Sequence, residues 1–365
     1  MNDNLVIEEN YNNWTQSPFD TSTIQDVKNL KNNNPIEFKE SFYKNLSFGT
    51  GGMRGIVGLG PNRVNKYTFG KNTQGISNFI NNTSSKKESI VIAYDCRNQS
   101  KELANQVADV FSSNGINVFL FSSIRPTPEL SYALIKLKCI CGIVLTASHN
   151  PPEYNGYKVY WKDGGQIVPP IDKKLIDEIN SVKFKEIKFK RNNSLVNLID
   201  KEIDTDFIND SILNGKIGVS NRANYKIVFT PIHGTSYKIL PEVLKGAGFN
   251  DLHIVKEQAI PDGNFSTVKS PNPEEPEALS MAIDLAKAVD ADIVIGTDPD
   301  ADRVGLAVKN NSNEYSLLNG NQMMIILTEF ILSKRKKLNK SFFIGSTVVS
   351  TAMIKNIAES YNVDF

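Results

Sequence analysis

A serine stands at the end of an apolar run in the segment Leu145 to Lys158, LTASHNPPEYNGYK. Ile143-Val144-Leu145 reads as a buried strand, and Ser148 follows it beside His149, Asn150 and Lys158. Pro151-Pro152 and Asn155-Gly156 are expected to interrupt regular structure for about ten residues. A hydroxyl on a loop at a strand end is placed to meet a ligand. Adjacent residues of an extended chain point to opposite faces, so His149 is not expected to reach the Ser148 hydroxyl. The flanking residues also lack the G-x-S-x-G turn of serine hydrolases. A metal-assisted role suits Ser148 better than a hydrolase dyad.

The metal side of that chemistry is offered by Ile293 to Val308, IVIGTDPDADRVGLAV. Asp298, Asp300 and Asp302 alternate and Arg303 follows them. Pro299 stops the strand, so the carboxylates fall on a loop at its C-terminal end, the edge where open α/β sheets bind ligands. Crowded carboxylate oxygens suit a hard cation such as Mg²⁺, and repel one another without it. An EF-hand fails on spacing, with Arg303 where glycine and Lys309 where the closing glutamate should stand. A phosphate on Ser148 would carry a charge of about −1.5 to −2. Together with Asp298, Asp300 and Asp302 it would make a metal site able to polarise a phosphoryl group.

The cations for such a group are Lys158, Arg54, Arg303 and Arg97. Lys158 is also a candidate acid or base if its pKa is lowered. Arg54 lies in FGTGGMRG, Phe48 to Gly55, where four glycines let backbone approach a ligand. This run lacks the glycine spacing of the dinucleotide fingerprint, and the chain holds no G-x-x-x-x-G-K-[ST] phosphate loop. His233, in Thr230-Pro231-Ile232-His233-Gly234-Thr235, ends another strand at a sheet edge. The irregular run Pro261 to Pro276 points to function or to a domain contact.

The elements that must position these residues alternate. Ser89–Asp95 reads as a strand, followed by a helix Lys101–Asn114 capped by Ser100 and ended by Gly115. Next come a strand Ile116–Ser122, a helix near Pro128–Lys138 and the strand into Ser148. The pattern repeats as a strand Tyr225–Thr230, a helix Tyr237–Leu244, a strand Leu252–Val255, a helix Pro276–Val289 and a strand Asp292–Gly296. A third unit begins with a helix Gln322–Lys334, a strand Phe342–Val348 and a helix Thr351–Tyr361. The expected fold class is therefore α/β, with repeated three-layer units, mostly parallel sheets and right-handed crossovers, the third unit incomplete. The expected divisions are an N-terminal surface extension 1–46, a domain 47–210 carrying Ser148, a domain 211–318 carrying the aspartates, and a partial domain 319–365.

Bulk properties exclude other classes. A chain of 365 residues with 40% hydrophobic and 22% charged residues is ordinarily globular. A net charge of +1 invites neither nucleic acid nor an anionic membrane. The acidic start is no secretory signal, and the apolar stretch Met323–Leu332 is too short to span a bilayer. Three cysteines, Cys96, Cys139 and Cys141, fit neither a disulfide framework nor a common zinc site, so a reduced cytoplasm is expected.

At these motifs the chain resembles the α-D-phosphohexomutase superfamily, which includes phosphoglucomutases and phosphomannomutases. TASHNPPEYNGYK resembles its phosphoserine loop and GTDPDADR its metal loop. FGTGGMRG, FTPIHGT and PDGNFSTVKSPNPEEPEAL resemble the branch of bacterial-type phosphoglucomutases and phosphopentomutases. The resemblance runs from about Phe48 to the end. It implies that a phosphorylated Ser148 gives its phosphate to a sugar monophosphate. The resulting 1,6-bisphosphate turns over and returns the other phosphate to Ser148. Asp298, Asp300 and Asp302 bind Mg²⁺ with an oxygen of Ser148. Arg54 and Lys158 are the acid/base candidates, His149 and Arg303 support the phosphoserine and substrate phosphate, and Arg97 and His233 are further phosphate-binding candidates.

The chain departs from the family in lacking a Gly-Glu-Glu-Ser type sugar loop and a C-terminal phosphate-binding domain. Remote binding energy of that kind serves rate as well as affinity, so the chain alone is expected to be weakly active or inactive. The full activity is expected of a longer product or of a chain completed by another polypeptide. The alternatives are a pentose or mannose phosphate mutase, or a non-catalytic sugar-phosphate and Mg²⁺-binding module.

Overall fold

A computed structural model describes residues 3–217 and 221–365. Three helices open the chain: α1 (Asp3–Trp14), α2 (Thr21–Asn33) and α3 (Pro35–Phe42). The first α/β unit runs β1 (Gly52–Ile56), α4 (Lys66–Thr83), β2 (Ser89–Tyr94), α5 (Ser100–Ser113), β3 (Asn117–Phe121), α6 (Thr127–Lys136), β4 (Cys141–Leu145), β5 (Tyr154–Trp161), α7 (Ile171–Ser181) and β6 (Val196–Ile199). Helix α8 (Lys201–Asn214) leads into β7 (Lys226–Thr230), α9 (Ser236–Gly246), β8 (Asp251–Ile254), α10 (Ser280–Val289), β9 (Ile293–Thr297), β10 (Val304–Lys309) and β11 (Tyr315–Leu318). Helices α11 (Gly320–Lys334) and α12 (Met353–Ser360) follow. No helix among the described residues is long and apolar enough to cross a membrane.

The two sheets repeat one plan. The first has the order β1-β5-β4-β2-β3-β6 and the second β11-β10-β9-β7-β8. In each, the central strands are parallel (β4-β2-β3 and β9-β7-β8) and two antiparallel strands extend one side, β5 and β1 in the first sheet and β10 and β11 in the second. Strand period sorts side chains between the faces. Ile90, Ile92 and Tyr94 of β2 join α4, α5 and α7 in one core, while Val91 and Ala93 join α6 in another. Cys141 and Cys139 are buried on these opposite faces as small core residues. The repeat has a functional consequence. Ser148 follows β4 and Asp298 follows β9, so the two loops occupy equivalent places in the two units.

Several expectations need correction. Asn155-Gly156 does not interrupt the chain but lies buried inside β5, between β1 and β4. Only glycine fits at 156, because a Cβ there would sit 2.5 Å from the Thr146 carbonyl oxygen and 2.8 Å from that of Met53. Lys158 is therefore carried on a strand, as is Arg54 on β1, and Gly52 pairs with Lys158 across the two strands. Within the extension expected at 1–46, residues 3–42 fold as three helices. Trp14, Phe19, Phe38 and Phe42 are buried with Tyr67 in an aromatic core of their own, and Trp14 stacks on Phe19 at 4.4 Å. Ser100 is the first residue of α5 rather than its cap, and its hydroxyl donates to Asp95 Oδ1 at 2.9 Å. Helix α10 starts at Ser280, after turns over Glu275–Ala278. The strand expected at Phe342–Val348 is reduced to a single parallel bridge between Phe343 and Asp364. No further strand lies beside that segment among the described residues, and Phe343 and Val348 stay exposed. The expected division at 210/211 falls inside α8, which packs against both α6 and α9.

Candidate active site

Each loop is built by its strand end. Beyond β4, Ser148 adopts a left-handed backbone (φ 53°), and its N–H donates to Thr146 Oγ1 at 2.8 Å. That turn aims the hydroxyl out of the first unit and across to the second, where it donates to Asp298 Oδ2 at 2.6 Å. The loop after β9 folds on itself, with Asp298 Oδ1 accepting from the Arg303 N–H at 3.0 Å. Asp298, Asp300 and Asp302 each bring a carboxylate oxygen to within 4.8 Å of the others. Lys158 Nζ reaches over from β5 to Asp300 Oδ2 and Asp302 Oδ2, both at 2.6 Å. The two motifs therefore meet at one point.

The left-handed turn also overturns the geometric objection to His149. Because Ser148 is not extended, the His149 ring swings back and its Nδ1 lies 3.2 Å from Ser148 Oγ. Burial, and then the charges of Arg303 and Arg54, push the imidazole pKa below its ordinary value. Arg54 Nη1 donates to Asn150 Oδ1 at 2.5 Å, which fastens β1 to the serine loop. Arg303 carries no ion pair among the described residues, so its charge is available at the site.

Two expected phosphate binders are turned elsewhere. Arg97 gives its guanidinium to three carbonyl oxygens of the serine loop and to that of Tyr154, where β5 begins. His233 is buried with φ 62°, and its ring nitrogens lie 2.8 Å from Ile260 O and from Thr267 Oγ1. They occupy equivalent positions after β2 and β7 and hold loops together, because burial leaves their nitrogens facing protein oxygens rather than solvent. One residue was missed. Thr127, the first of α6, donates both its N–H to the Asp300 carbonyl and its hydroxyl to Asp300 Oδ2, each at 2.8 Å. Its signal was the run Arg125-Pro126-Thr127-Pro128, a threonine at a helix start.

The electrostatics fit a cation. Burial, with Asp300 and Asp302 alongside, raises the Asp298 pKa well above the carboxylate range. Burial opposes charge on Asp300 too, but Lys158 beside it keeps it ionised. Burial also opposes charge on Lys158, yet Asp300 and Asp302 outweigh it and raise the pKa, so the lowered value of a free base is not found in this arrangement. Asp300 Oδ1 is buried with no hydrogen-bond partner. An orphaned carboxylate oxygen among three acidic side chains is what an oxygen-liganded divalent ion would satisfy. A cleft of about 410 Å³ opens beside this point, lined by Gly49 to Arg54, Thr146, Lys158 and Gln166.

Beside the site, Arg125 is paired with Asp204 at 2.7 Å and Asp200 at 3.2 Å, and it lies 3.8 Å from the fully buried Glu129. Burial, then the nearby Asp204, pushes the Glu129 pKa up to about 9. The folded chain keeps a proton there that the unfolded chain loses near 4.5. Stability should therefore fall as pH rises between these values, by up to about 1.4 kcal/mol per unit. Glu129→Gln should flatten that slope and raise Tm at pH 8, read by thermal melts from pH 5 to 9.

The fold is thus a repeated α/β protein whose two sheets bring a serine and three aspartates together on equivalent loops. Comparison with known proteins names the family. The model of phosphoglucomutase/phosphomannomutase α/β/α domain I matches residues 45–186, and that of domain II matches residues 206–311. The chain belongs to the phosphoglucomutase/phosphomannomutase family, within the α-D-phosphohexomutase superfamily. It is 37% identical over 334 residues to proteins named phosphoglucomutase from Staphylococcus aureus strains USA300 and COL, covering 90% of this chain and 60% of theirs. The chain thus spans less than two thirds of the length of these relatives. Its fold is shared with a Burkholderia thailandensis phosphoglucomutase/phosphomannomutase family protein (TM-score 0.67, 21% identity, 86% of this chain and 64% of that one). It is also shared with Paramecium pp63/parafusin (TM-score 0.56, 17% identity, 78% and 56%).

Proposed function

We propose that this chain carries the phosphoserine and metal centre of a phosphosugar mutase that interconverts glucose 1-phosphate and glucose 6-phosphate. The observation that carries the reading is the 2.6 Å contact between Ser148 Oγ and Asp298, with Asp300 and Asp302 beside it. Asp298, Asp300, Asp302 and Ser148 would hold Mg²⁺, which when bound supplies Lewis-acid polarisation of the phosphoryl group. The names of the curated relatives support glucose as the sugar.

The chain's own residues account for the rest. Phosphorylated Ser148 loses its Oγ–P bond as the free hydroxyl oxygen of a bound sugar monophosphate bonds to that phosphorus. The sugar hydroxyl gives up its proton to a base, and Ser148 Oγ gains one. Arg54 and Lys158, at the cleft, are the acid/base and charge-stabilising candidates, while His149 and Arg303 support the phosphate. The sugar bisphosphate then turns over and returns its other phosphate to Ser148. A cytoplasmic setting suits the three free cysteines.

Product analysis tests the sugar. With Mg²⁺ and a trace of sugar bisphosphate, glucose 1-phosphate should be converted in preference to mannose 1-phosphate and ribose 1-phosphate. Preference for the mannose or pentose ester moves the assignment to those mutases. Phosphate uptake on Ser148 without turnover of any sugar favours the binding-module reading.

A further inference from the structure

Arg97 is the feature whose surroundings depart furthest from a surface phosphate binder. It is 3% exposed. Its Nη1 donates to the carbonyls of Pro151 (2.7 Å) and Tyr154 (2.9 Å), and its Nη2 to those of Ser148 (2.7 Å) and Asn150 (2.5 Å). The remaining donor, Nε, lies 3.3 Å from the buried Asp95 Oδ2. The two Nη nitrogens thus make four hydrogen bonds to protein carbonyls, and Nε, buried beside Asp95 at ion-pair distance without a hydrogen bond, is turned away from any substrate. Three of those oxygens belong to the loop after β4 and the fourth to Tyr154 at the start of β5, and the first in the chain is the carbonyl of Ser148 itself. Holding that carbonyl holds the left-handed turn which aims Oγ at Asp298.

The open face of the guanidinium is closed by the other unit. The Phe265 ring, 1% exposed, lies 5.0 Å from the Arg97 Cζ. Phe265 belongs to the irregular run that begins at Pro261, and that run is docked on the loop after β2. Asn98 Nδ2 donates to Asn264 Oδ1 at 2.8 Å. Gly263 sits so close that a Cβ would fall 2.6 Å from the Asn98 nitrogen and 2.9 Å from the Cys96 carbonyl oxygen. His233 also holds this run, through Thr267 within it and Ile260 just before it. A planar cation covered by an aromatic ring and forked to four carbonyls is held in one orientation.

We propose that Arg97 is a positioning residue that shapes the phosphoserine loop, and that the loop around Phe265 locks it from the second unit. The Pro261 run is then a coupling device: the serine loop takes its reactive shape only while the two units are docked. This rests on the reading of Ser148 as the phosphorylated residue.

The test uses the full chain, Arg97→Lys and Phe265→Leu. Phosphate uptake on Ser148 from glucose 1,6-bisphosphate is followed by intact mass against bisphosphate concentration, and amide hydrogen exchange is followed over residues 148–154. Lysine keeps the charge but not the fork. Its maximal rate of uptake should fall about a hundredfold, the scale of an ångström misplacement, with the half-saturating concentration unchanged. Exchange in the loop should quicken at least about tenfold in both variants. A raised half-saturating concentration at an unchanged maximal rate overturns the proposal and returns Arg97 to substrate binding; unchanged rates and exchange overturn it outright. Should Arg97→Lys fail to fold, Phe265→Leu decides by the same criteria. Should the native chain take up no phosphate, the functional reading fails, and loop exchange alone judges the clamp.

Discussion

Ser148→Ala should take up no phosphate at all. The native chain, incubated with Mg²⁺ and glucose 1,6-bisphosphate, should gain the mass of one phosphate, and the alanine variant none. The expectation follows from geometry. Ser148 Oγ meets the acidic triplet at Asp298, 2.6 Å away. It is 2% exposed and held against that carboxylate. Thr146 and Thr127 also have hydroxyls nearby, but Thr146 Oγ1 already accepts from the Ser148 N–H and Thr127 Oγ1 donates to Asp300. The alanine variant should keep its fold, because the residue lies on a loop whose backbone is tied through carbonyls that alanine also has. Uptake of one phosphate by the variant would move the phosphorylated group elsewhere and end the reading of this loop.

The second large effect is on the metal. Asp300→Asn should lower Mg²⁺ affinity by at least about a hundredfold, measured by calorimetric titration. Loss of groups that merely orient a ligand costs about 10- to 100-fold, and Asp300 is a ligand candidate in its own right. Its carboxylate is fully buried and its Oδ1 has no partner inside the protein. Asparagine keeps the shape but removes the charge that faces a divalent ion. It also leaves Lys158 with Asp302 alone, so some stability should be lost as well. Unchanged Mg²⁺ affinity would place the ion away from this triplet.

The placement of the candidate site was legible in the sequence wherever residue type and strand end coincided. Ser148 after Ile143-Val144-Leu145, and three alternating aspartates after Ile293-Val294-Ile295, announce loops at the ligand edge of a sheet. What a linear reading could not supply was backbone handedness and burial. The φ of 53° at Ser148 brings His149 to the hydroxyl, against the alternation rule for extended chains. Burial turned Arg97 and His233 inward, although both stand at the expected edges. Asn155-Gly156 reads as a turn because those residues usually make one; here neighbouring strands press so closely that glycine is required inside a strand. Thr127 escaped because its contact lies 173 residues away in Asp300. The Phe342–Val348 segment has strand-forming residues but only one bridge, since a strand is completed by its neighbours.

The sharing of one ion by two distant segments can be observed directly. The phosphorylated chain should show one phosphoserine resonance in a ³¹P spectrum, and Mn²⁺ added below one equivalent should broaden it in proportion. Asp298→Asn should remove that broadening. A phosphoserine line that stays sharp while Mn²⁺ is bound to the protein would contradict the account, because the ester and the acidic triplet would then not meet.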